Sequence, residues 1–164
     1  MKKTTTACVL YVLCCIIILS LSFQVSSCVK NEPEIKLSPD EIMKKITDEF
    51  PGYNYNEELY SDDKTKPVDL SKIEKYSVIQ AKENTADEIG IFKLYDKTNT
   101  EYIKEIARTR ILKLQTDSIS GENTELTEIF NNAEVRSYGE YVYYVSHPKK
   151  DRIFEIIEDS LRGE

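Results

Sequence analysis

The sequence contains no tryptophan, a single histidine and only five glycines in 164 residues. One histidine, His147, cannot supply the cluster of nitrogen and sulfur ligands that a zinc site needs. The five glycines are scattered and form no Gly-rich loop that could hold a phosphate group. We therefore expect neither a metal site nor a cofactor; calcium binding by carboxylates alone stays open, but no EF-hand pattern occurs. We expect His147, which precedes Pro148, to cap a helix or to lie at the surface.

The local patterns of nucleophilic catalysis are also missing. There is no Gly-x-Ser-x-Gly motif, and Ser61-Asp62-Asp63-Lys64, which formally fits Ser-x-x-Lys, has no Lys-Thr-Gly partner. With 29 acidic residues, carboxylate pairs arise by chance. We interpret the least ordinary pair, Asp87-Glu88, as a strand boundary with a solvated or hydrogen-bonded carboxylate. We expect no catalytic residue and no enzymatic activity.

The N-terminal segment has the layout of a secretory signal peptide. Lys2 and Lys3 precede an uncharged run from Ala7 to Phe23, and small residues follow it. The next segment, Val25-Ser26-Ser27-Cys28, resembles a bacterial lipobox, in which the cysteine sulfur takes a diacylglycerol and becomes the new N-terminus. Two acyl chains anchor a protein stably where one would not. The sequence therefore predicts lipid attachment at Cys28.

Cleavage before Cys28 would leave residues 28–164, in which Cys28 is the only cysteine. We predict a signal peptide over residues 1–27, a tether over 28–37 and a single domain over 38–164. Cleavage also removes two lysines and no acidic residue, so the net charge changes from −7 to −9. A domain this acidic repels phosphate backbones, which excludes nucleic acid as a partner. We expect a lipid-anchored protein at the outer face of a cell membrane; the alternatives are a single uncleaved N-terminal membrane helix and full secretion.

Hydrophobic periodicity in the rest of the chain predicts an α+β domain. Ser38-Pro39-Asp40-Glu41 is typical of a capped helix start, and Ile42, Ile46 and Phe50 share one face of that helix. Further patterns predict a long loop over residues 53–68 and a short helical turn from Asp69, with Leu70 and Ile73 facing inward. They also predict strands near residues 76–81 and 88–95, a helix of about four turns from Thr98, a short helix near 126–130, strands at 133–138 and 141–145, and a last helix from Pro148. We expect a two-layer sandwich, in which a mostly antiparallel sheet of about four strands carries its helices on one face, plus the N-terminal helix.

Tyrosine is abundant in the predicted hairpin around Gly139-Glu140. Tyr138, Tyr141, Tyr143 and Tyr144 alternate between the two faces of the strands. We expect about half of them to pack against helices and the others to lie exposed. An exposed tyrosine supplies apolar area and a hydroxyl group for sugars or peptides. The simpler interpretation is the high strand propensity of tyrosine.

Two short segments carry a resemblance to a known family. Ala86-Asp87-Glu88-Ile89-Gly90-Ile91-Phe92 forms an Asp-Glu-hydrophobic strand that ends in Phe before a long helix, and Tyr138-Gly139-Glu140-Tyr141-Val142 forms a hairpin before the last helix. Both resemble a domain-of-unknown-function family of small lipoproteins from Gram-positive anaerobes of the clostridial type. The similarity covers residues 40–162. It implies an envelope lipoprotein, and it implies no activity, ligand or catalytic residue.

Three functions remain open from the sequence. The first is a non-catalytic interaction module that binds an envelope protein or wall component near the membrane. The second is a small-solute-binding lipoprotein associated with a transporter, although 137 residues are few for a two-lobed cleft. The third is a wall-acting hydrolase that uses a pair of carboxylates.

Overall fold

A computed structural model describes residues 37–52, 68–80, 86–120 and 124–164. In chain order the elements are α1 (Pro39–Glu49), β1 (Ile73–Ile79), β2 (Glu88–Leu94), α2 (Thr100–Ser120), α3 (Thr124–Asn131), β3 (Glu134–Tyr138), β4 (Tyr141–Ser146) and α4 (Lys150–Arg162). Short 3-10 helices, Leu70–Lys72 and Lys97–Asn99, precede β1 and α2. The predicted order of helices and strands is confirmed.

Helix α1 begins with the capping box that its sequence predicts. The Ser38 N–H donates to Glu41 Oε2 at 2.7 Å, and the Glu41 N–H donates to Ser38 Oγ at 3.5 Å. The backbone hydrogen bond from Ser38 lowers the pKa of Glu41. These contacts satisfy N–H groups that the first helical turn leaves without partners. Ile42 and Ile46 are then fully buried on the inner side of α1.

The four strands form one antiparallel sheet with the order β1-β2-β4-β3. Strands β3 and β4 are joined by a two-residue turn at Gly139-Glu140, and Gly139 has a φ of +55°. A positive φ at the first central residue is what the tight hairpin turns require, and glycine adopts it without strain. The predicted α+β class and the four-stranded antiparallel sheet are confirmed.

The prediction that the helices cover one face of the sheet is wrong, because both faces are covered. On one face α1 and α4 pack through Ile46 and Ile157 against Ile91 and other residues of the sheet. On the opposite face α2 packs through Ile103 and Ala107 against a separate cluster of strand residues: Val78, Phe92, Leu94, Val142 and Tyr144. The domain therefore has three layers, with the sheet in the middle.

Burial on both faces also changes the expectation for the tyrosines. Tyr141 and Tyr143 point to the α1–α4 face and Tyr144 points to the α2 face, and all three are buried. Tyr138 is partly buried. The prediction that about half of these tyrosines lie exposed for sugar or peptide contacts is therefore wrong, because helices cover both sides of the central strands.

Several predicted boundaries shift. Helix α2 is longer than four turns, and the preceding 3-10 helix is capped by Asp96, which accepts the Thr98 N–H at 2.8 Å. Leu70, expected to face inward, is exposed, whereas Ile73 is buried as expected. Within the described ranges, no helix is long and apolar enough to cross a membrane. The predicted signal peptide, nearly all of the predicted tether and nearly all of the predicted loop at 53–68 lie outside those ranges.

Candidate functional site

A buried cluster of Glu88, Arg110 and Tyr144, here called the Glu88 cluster, lies between the sheet and α2. Arg110 donates from Nε to Glu88 Oε1 at 2.7 Å and from Nη2 to Glu88 Oε2 at 2.8 Å. The Tyr144 hydroxyl donates to Glu88 Oε1 at 2.9 Å. The Glu88 side chain is 0% exposed and that of Arg110 is 7% exposed. The two charges therefore face each other away from water in a two-point contact.

Gly90 allows Tyr144 to reach Glu88. Gly90 and Tyr144 are cross-strand partners on β2 and β4, and the Tyr144 ring lies where a β-carbon on residue 90 would be. Glycine inside a strand often marks such a close approach. The Tyr144 ring also stacks on Phe92, with 6.3 Å between ring centroids. The absence of a side chain at residue 90 therefore leaves room for the Tyr144 hydroxyl to reach the Glu88 carboxylate.

The chemistry of the Glu88 cluster is that of a structural ion pair. Each oxygen of Glu88 accepts a hydrogen bond from Arg110, and Oε1 accepts a second one from Tyr144. Removing one member of a buried pair leaves the other charge uncompensated, so the members stabilise the fold only together. The prediction of a hydrogen-bonded carboxylate at Asp87-Glu88 is confirmed for Glu88. The positive charge that pairs with Glu88, Arg110, was not predicted.

Asp87 and His147 form a second contact at the same end of the central strands. His147 Nε2 lies 3.5 Å from Asp87 Oδ1, and His147 Nδ1 accepts the Lys149 N–H at 2.8 Å. The His147 ring also contacts Phe50, with 5.6 Å between ring centroids. The N-cap residue of α4 is Lys149, which makes no side-chain capping hydrogen bond, and His147 accepts the N–H of Lys149 itself and not one from the first turn of α4. The His147 side chain is 7% exposed, so the expectation that His147 caps a helix or lies at the surface is not confirmed. Because Nδ1 accepts a hydrogen bond, the ring proton of neutral His147 resides on Nε2, facing Asp87.

Burial lowers the pKa of His147 below 6.5; Asp87 opposes this shift and Lys149 adds to it. In the unfolded chain the imidazole takes up a proton near pH 6.5, whereas the folded chain resists protonation. The unfolded state then binds more protons, so stability is lost as the pH falls through 6.5. We expect the urea concentration at the midpoint of unfolding to be lower at pH 5.5 than at pH 7.5.

The matched variant for this prediction is His147→Asn, since an asparagine oxygen can still accept the Lys149 N–H and does not titrate. His147 is the only histidine in the chain. We expect the variant to show a smaller change in urea midpoint over the same pH interval. Equal changes in the two proteins would contradict a burial-depressed pKa of His147.

A surface cavity of about 330 Å³ lies between α2 and the N-terminal part of β3, here called the α2–β3 cavity. It is lined by Arg108, Ile111, Leu112 and Gln115 of α2 and by the chain from Ala133 to Val135. Leu112 is 61% exposed, and Ile119, seven residues further along α2, is exposed to a similar extent. Residues seven apart lie on the same side of a helix, so α2 presents apolar side chains to solvent beside this cavity.

The predicted lipid site lies outside the part of the chain that the structure describes. This applies to Val25, Ser26, Ser27 and to the expected attachment residue Cys28. Across residues 37–52, 68–80, 86–120 and 124–164, no group of three or more His, Cys, Asp or Glu side chains is arranged to hold a metal ion.

Sequence reasoning missed Arg110 and the role of Tyr144. Helix α2 carries Ile103, Ile106, Ala107 and Ile111 on its buried side, and Arg110 interrupts that apolar stripe. A charged residue at an inward helical position requires a buried partner. Arg110 within an apolar stripe was therefore a signal in the sequence. Its partner, Glu88, lies 22 residues earlier in the chain, and no local pattern identifies it.

Comparison of the sequence with known protein families gives one match. Residues 64–147, just over half of the chain, match the family described as "Domain of unknown function (DUF4358)". The chain belongs to the DUF4358 family. No curated protein and no solved structure matches it. The DUF4358 segment contains all four strands together with α2 and α3, whereas α1 and α4 lie outside the match. It therefore includes the whole Glu88 cluster and the α2–β3 cavity.

Proposed function

We propose that this DUF4358 protein is a lipoprotein anchored at the outer face of a cell membrane through Cys28. Its α+β domain then acts as a non-catalytic interaction module that binds an envelope protein or wall component. The anchor is supported by the basic and apolar N-terminal segment and by the position of Cys28 directly after Ser26-Ser27. The lipoprotein resemblance of the two sequence segments supports the same location.

The observation that carries the interaction role is the outer surface of α2. Leu112 and Ile119 are exposed on one side of α2, and Leu112 borders the α2–β3 cavity. An exposed apolar residue at the rim of a cavity, such as Leu112, is often found at an interaction site, whereas single scattered ones need no explanation. The buried charges Glu88 and Arg110 are paired with each other, which suits a structural role in a binding domain.

Photo-crosslinking in intact cells tests this role. A photoreactive amino acid in place of Ile119 is expected to capture a distinct envelope protein or wall fragment, because this position lies on the proposed surface. The same probe in place of Leu70, an exposed residue ahead of β1, is the matched control. The Ile119 adduct is expected to weaken in a Cys28→Ala background, which removes the anchor. Recovery of the same material from both probe positions, or none above the Cys28→Ala level, would contradict the proposal.

A second candidate function rests on the volume of the α2–β3 cavity. At about 330 Å³ it reaches the lower end of the range typical of small-molecule sites, about 300–1,000 Å³. A small-solute-binding lipoprotein that serves a transporter would use this cavity. A ligand that raises the melting temperature in proportion to its concentration would support this alternative.

A further inference from the structure

Strand β3 lies at an edge of the sheet and has a pairing partner on one side only among the described strands. Tyr138 and Tyr141 flank the two-residue turn, so they close the hairpin as a hydrogen-bonded pair. Along an antiparallel strand, successive residues direct their backbone N–H and C=O groups to opposite sides. The Leu94 N–H donates to Glu140 O at 2.9 Å, so Glu140 faces β2, and the next residue, Tyr141, faces β3. Two residues earlier the pattern repeats at Arg136. Val135 and Ser137 therefore direct their backbone N–H and C=O groups towards the open side.

Glu134 and Arg136, the residues on either side of Val135, carry opposite charges on the α4 side of the sheet. Arg136 Nη2 donates to Glu134 Oε2 at 2.8 Å, and its guanidinium carbon lies 3.8 Å from the centroid of the Phe154 ring. Hydrogen bonds from Lys150 and then from Arg136 lower the pKa of Glu134. Lys150 also pairs with Glu134, and Glu158 also pairs with Arg136. These contacts hold a negative and a positive charge in fixed positions on either side of Val135.

We propose that β3 pairs with β3 of a second copy of this chain about a twofold axis at Val135, joining two four-stranded sheets into one of eight strands. In this antiparallel register Glu134 lies opposite the partner's Arg136, and Arg136 lies opposite the partner's Glu134. Opposite charges directly across an antiparallel pair are stabilising. A twofold axis requires a self-complementary edge, and Glu134-Val135-Arg136 is one.

The same register accounts for the exposed apolar residue on the α2 face. The α2–β3 cavity is lined by Ala133, Glu134 and Val135, so the axis passes beside it. Leu112 borders that cavity and would be covered by α2 of the second copy. The net charge, −7 for the whole chain and −9 after the predicted removal of Lys2 and Lys3, opposes association at long range. Physiological salt screens that repulsion beyond about 8 Å, whereas the proposed contacts are at short range.

The mass of the membrane-extracted protein in detergent, measured by light scattering with the detergent contribution subtracted, tests the proposal. The wild type is expected to have twice the mass of one chain. Val135→Pro removes an N–H that faces away from β4, so it is expected to break the dimer and keep the hairpin. Leu112→Glu is expected to break the dimer from the α2 side. Each variant is expected to raise the dissociation constant by about tenfold or more, equivalent to 1.4 kcal/mol.

Leu70→Glu provides the matched control. Leu70 is 55% exposed and lies ahead of β1, at the opposite edge of the sheet, so this variant is expected to remain a dimer. Circular dichroism shows whether Val135→Pro is folded. If Val135→Pro is unfolded, Leu112→Glu tests the dimer alone, because Leu112 is exposed and its substitution is not expected to unfold the domain. A wild type that is monomeric at every concentration would overturn the dimer, as would a dimer that both Val135→Pro and Leu112→Glu leave intact.

This inference rests on the proposed function only in using the surface beside Leu112. The two can fail separately. A monomeric wild type that still crosslinks an envelope component through residue 119 would remove the dimer and keep the interaction module. A wild-type dimer in which the probe at residue 119 captures only the second copy of the chain would keep the dimer and remove the interaction module.

Discussion

Arg110→Met is expected to destabilise the domain by about 3–5 kcal/mol, because it leaves the Glu88 carboxylate buried without its counter-charge. Arg110 supplies two hydrogen bonds to a carboxylate that is 0% exposed. Methionine retains most of the apolar stem, so the loss of the charge dominates over the loss of packing. The free energy of unfolding in urea, followed by circular dichroism, measures the effect.

Arg152 and Glu49 provide the matched control for this prediction. Arg152 Nε and Nη2 donate to the two carboxylate oxygens of Glu49 at 2.7 Å and 2.9 Å, the same two-point geometry as in the Glu88 cluster. Their side chains are half exposed, so water replaces the partner that is lost. Arg152→Met is therefore expected to leave the stability close to that of the wild type.

The two pairs share this geometry and differ mainly in burial; in addition Glu88 accepts a hydrogen bond from Tyr144, and Arg152 donates a further one to Glu155 at 3.1 Å. Adding Glu88→Gln to Arg110→Met removes the isolated charge and is expected to recover part of the loss. Equal losses of stability in Arg110→Met and Arg152→Met would show that burial of the Glu88 cluster does not make its ion pair important for the fold.

Gly90→Ala is the second substitution with a large expected effect, a loss of about 3 kcal/mol, at the upper end of the usual cost of overpacking a core. A β-carbon at residue 90 would lie 2.9 Å from both Cδ1 and Cζ of Tyr144, and real β-carbons do not approach side-chain atoms so closely. The Tyr144 ring is fully buried and its hydroxyl is bonded to Glu88, so the ring cannot move away without breaking that hydrogen bond.

A double variant separates this clash from an effect on the backbone of β2. Tyr144→Val removes Cδ1, Cε1 and Cζ, the ring atoms that the new β-carbon would meet. In that background Gly90→Ala is expected to cost much less than it does alone, so the two free energies of unfolding will not add. Additive losses would show that residue 90 requires glycine for a reason other than the approach of Tyr144.

Local patterns were sufficient to predict the elements of the fold. The capping box at Ser38, the turn at Gly139-Glu140 and the terminal helix before Gly163 each depend on residues a few positions apart. The layer arrangement was missed because an apolar stripe shows that a helix is covered and does not show which face of the sheet covers it. One signal was present: β4, Tyr141–Ser146, is apolar at nearly every position, and strands buried on both faces read as continuous apolar runs.

The Glu88 cluster was only half predicted. Asp87-Glu88 stood out as a carboxylate pair at the start of a strand, but Arg110 and Tyr144 join Glu88 from 22 and 56 residues further along the chain. Only the strand register, which pairs Gly90 with Tyr144, brings these groups together. The α2–β3 cavity is likewise formed by two distant segments, and no pattern in either one predicts it.

The lipid anchor at Cys28 can be tested by the intact mass of the protein extracted from membranes. We expect a mass equal to residues 28–164 plus the acyl groups on the new N-terminal cysteine, and we expect Cys28→Ala to abolish that species. An unmodified full-length mass would contradict it and would mean that the apolar N-terminal segment itself holds the protein in the membrane.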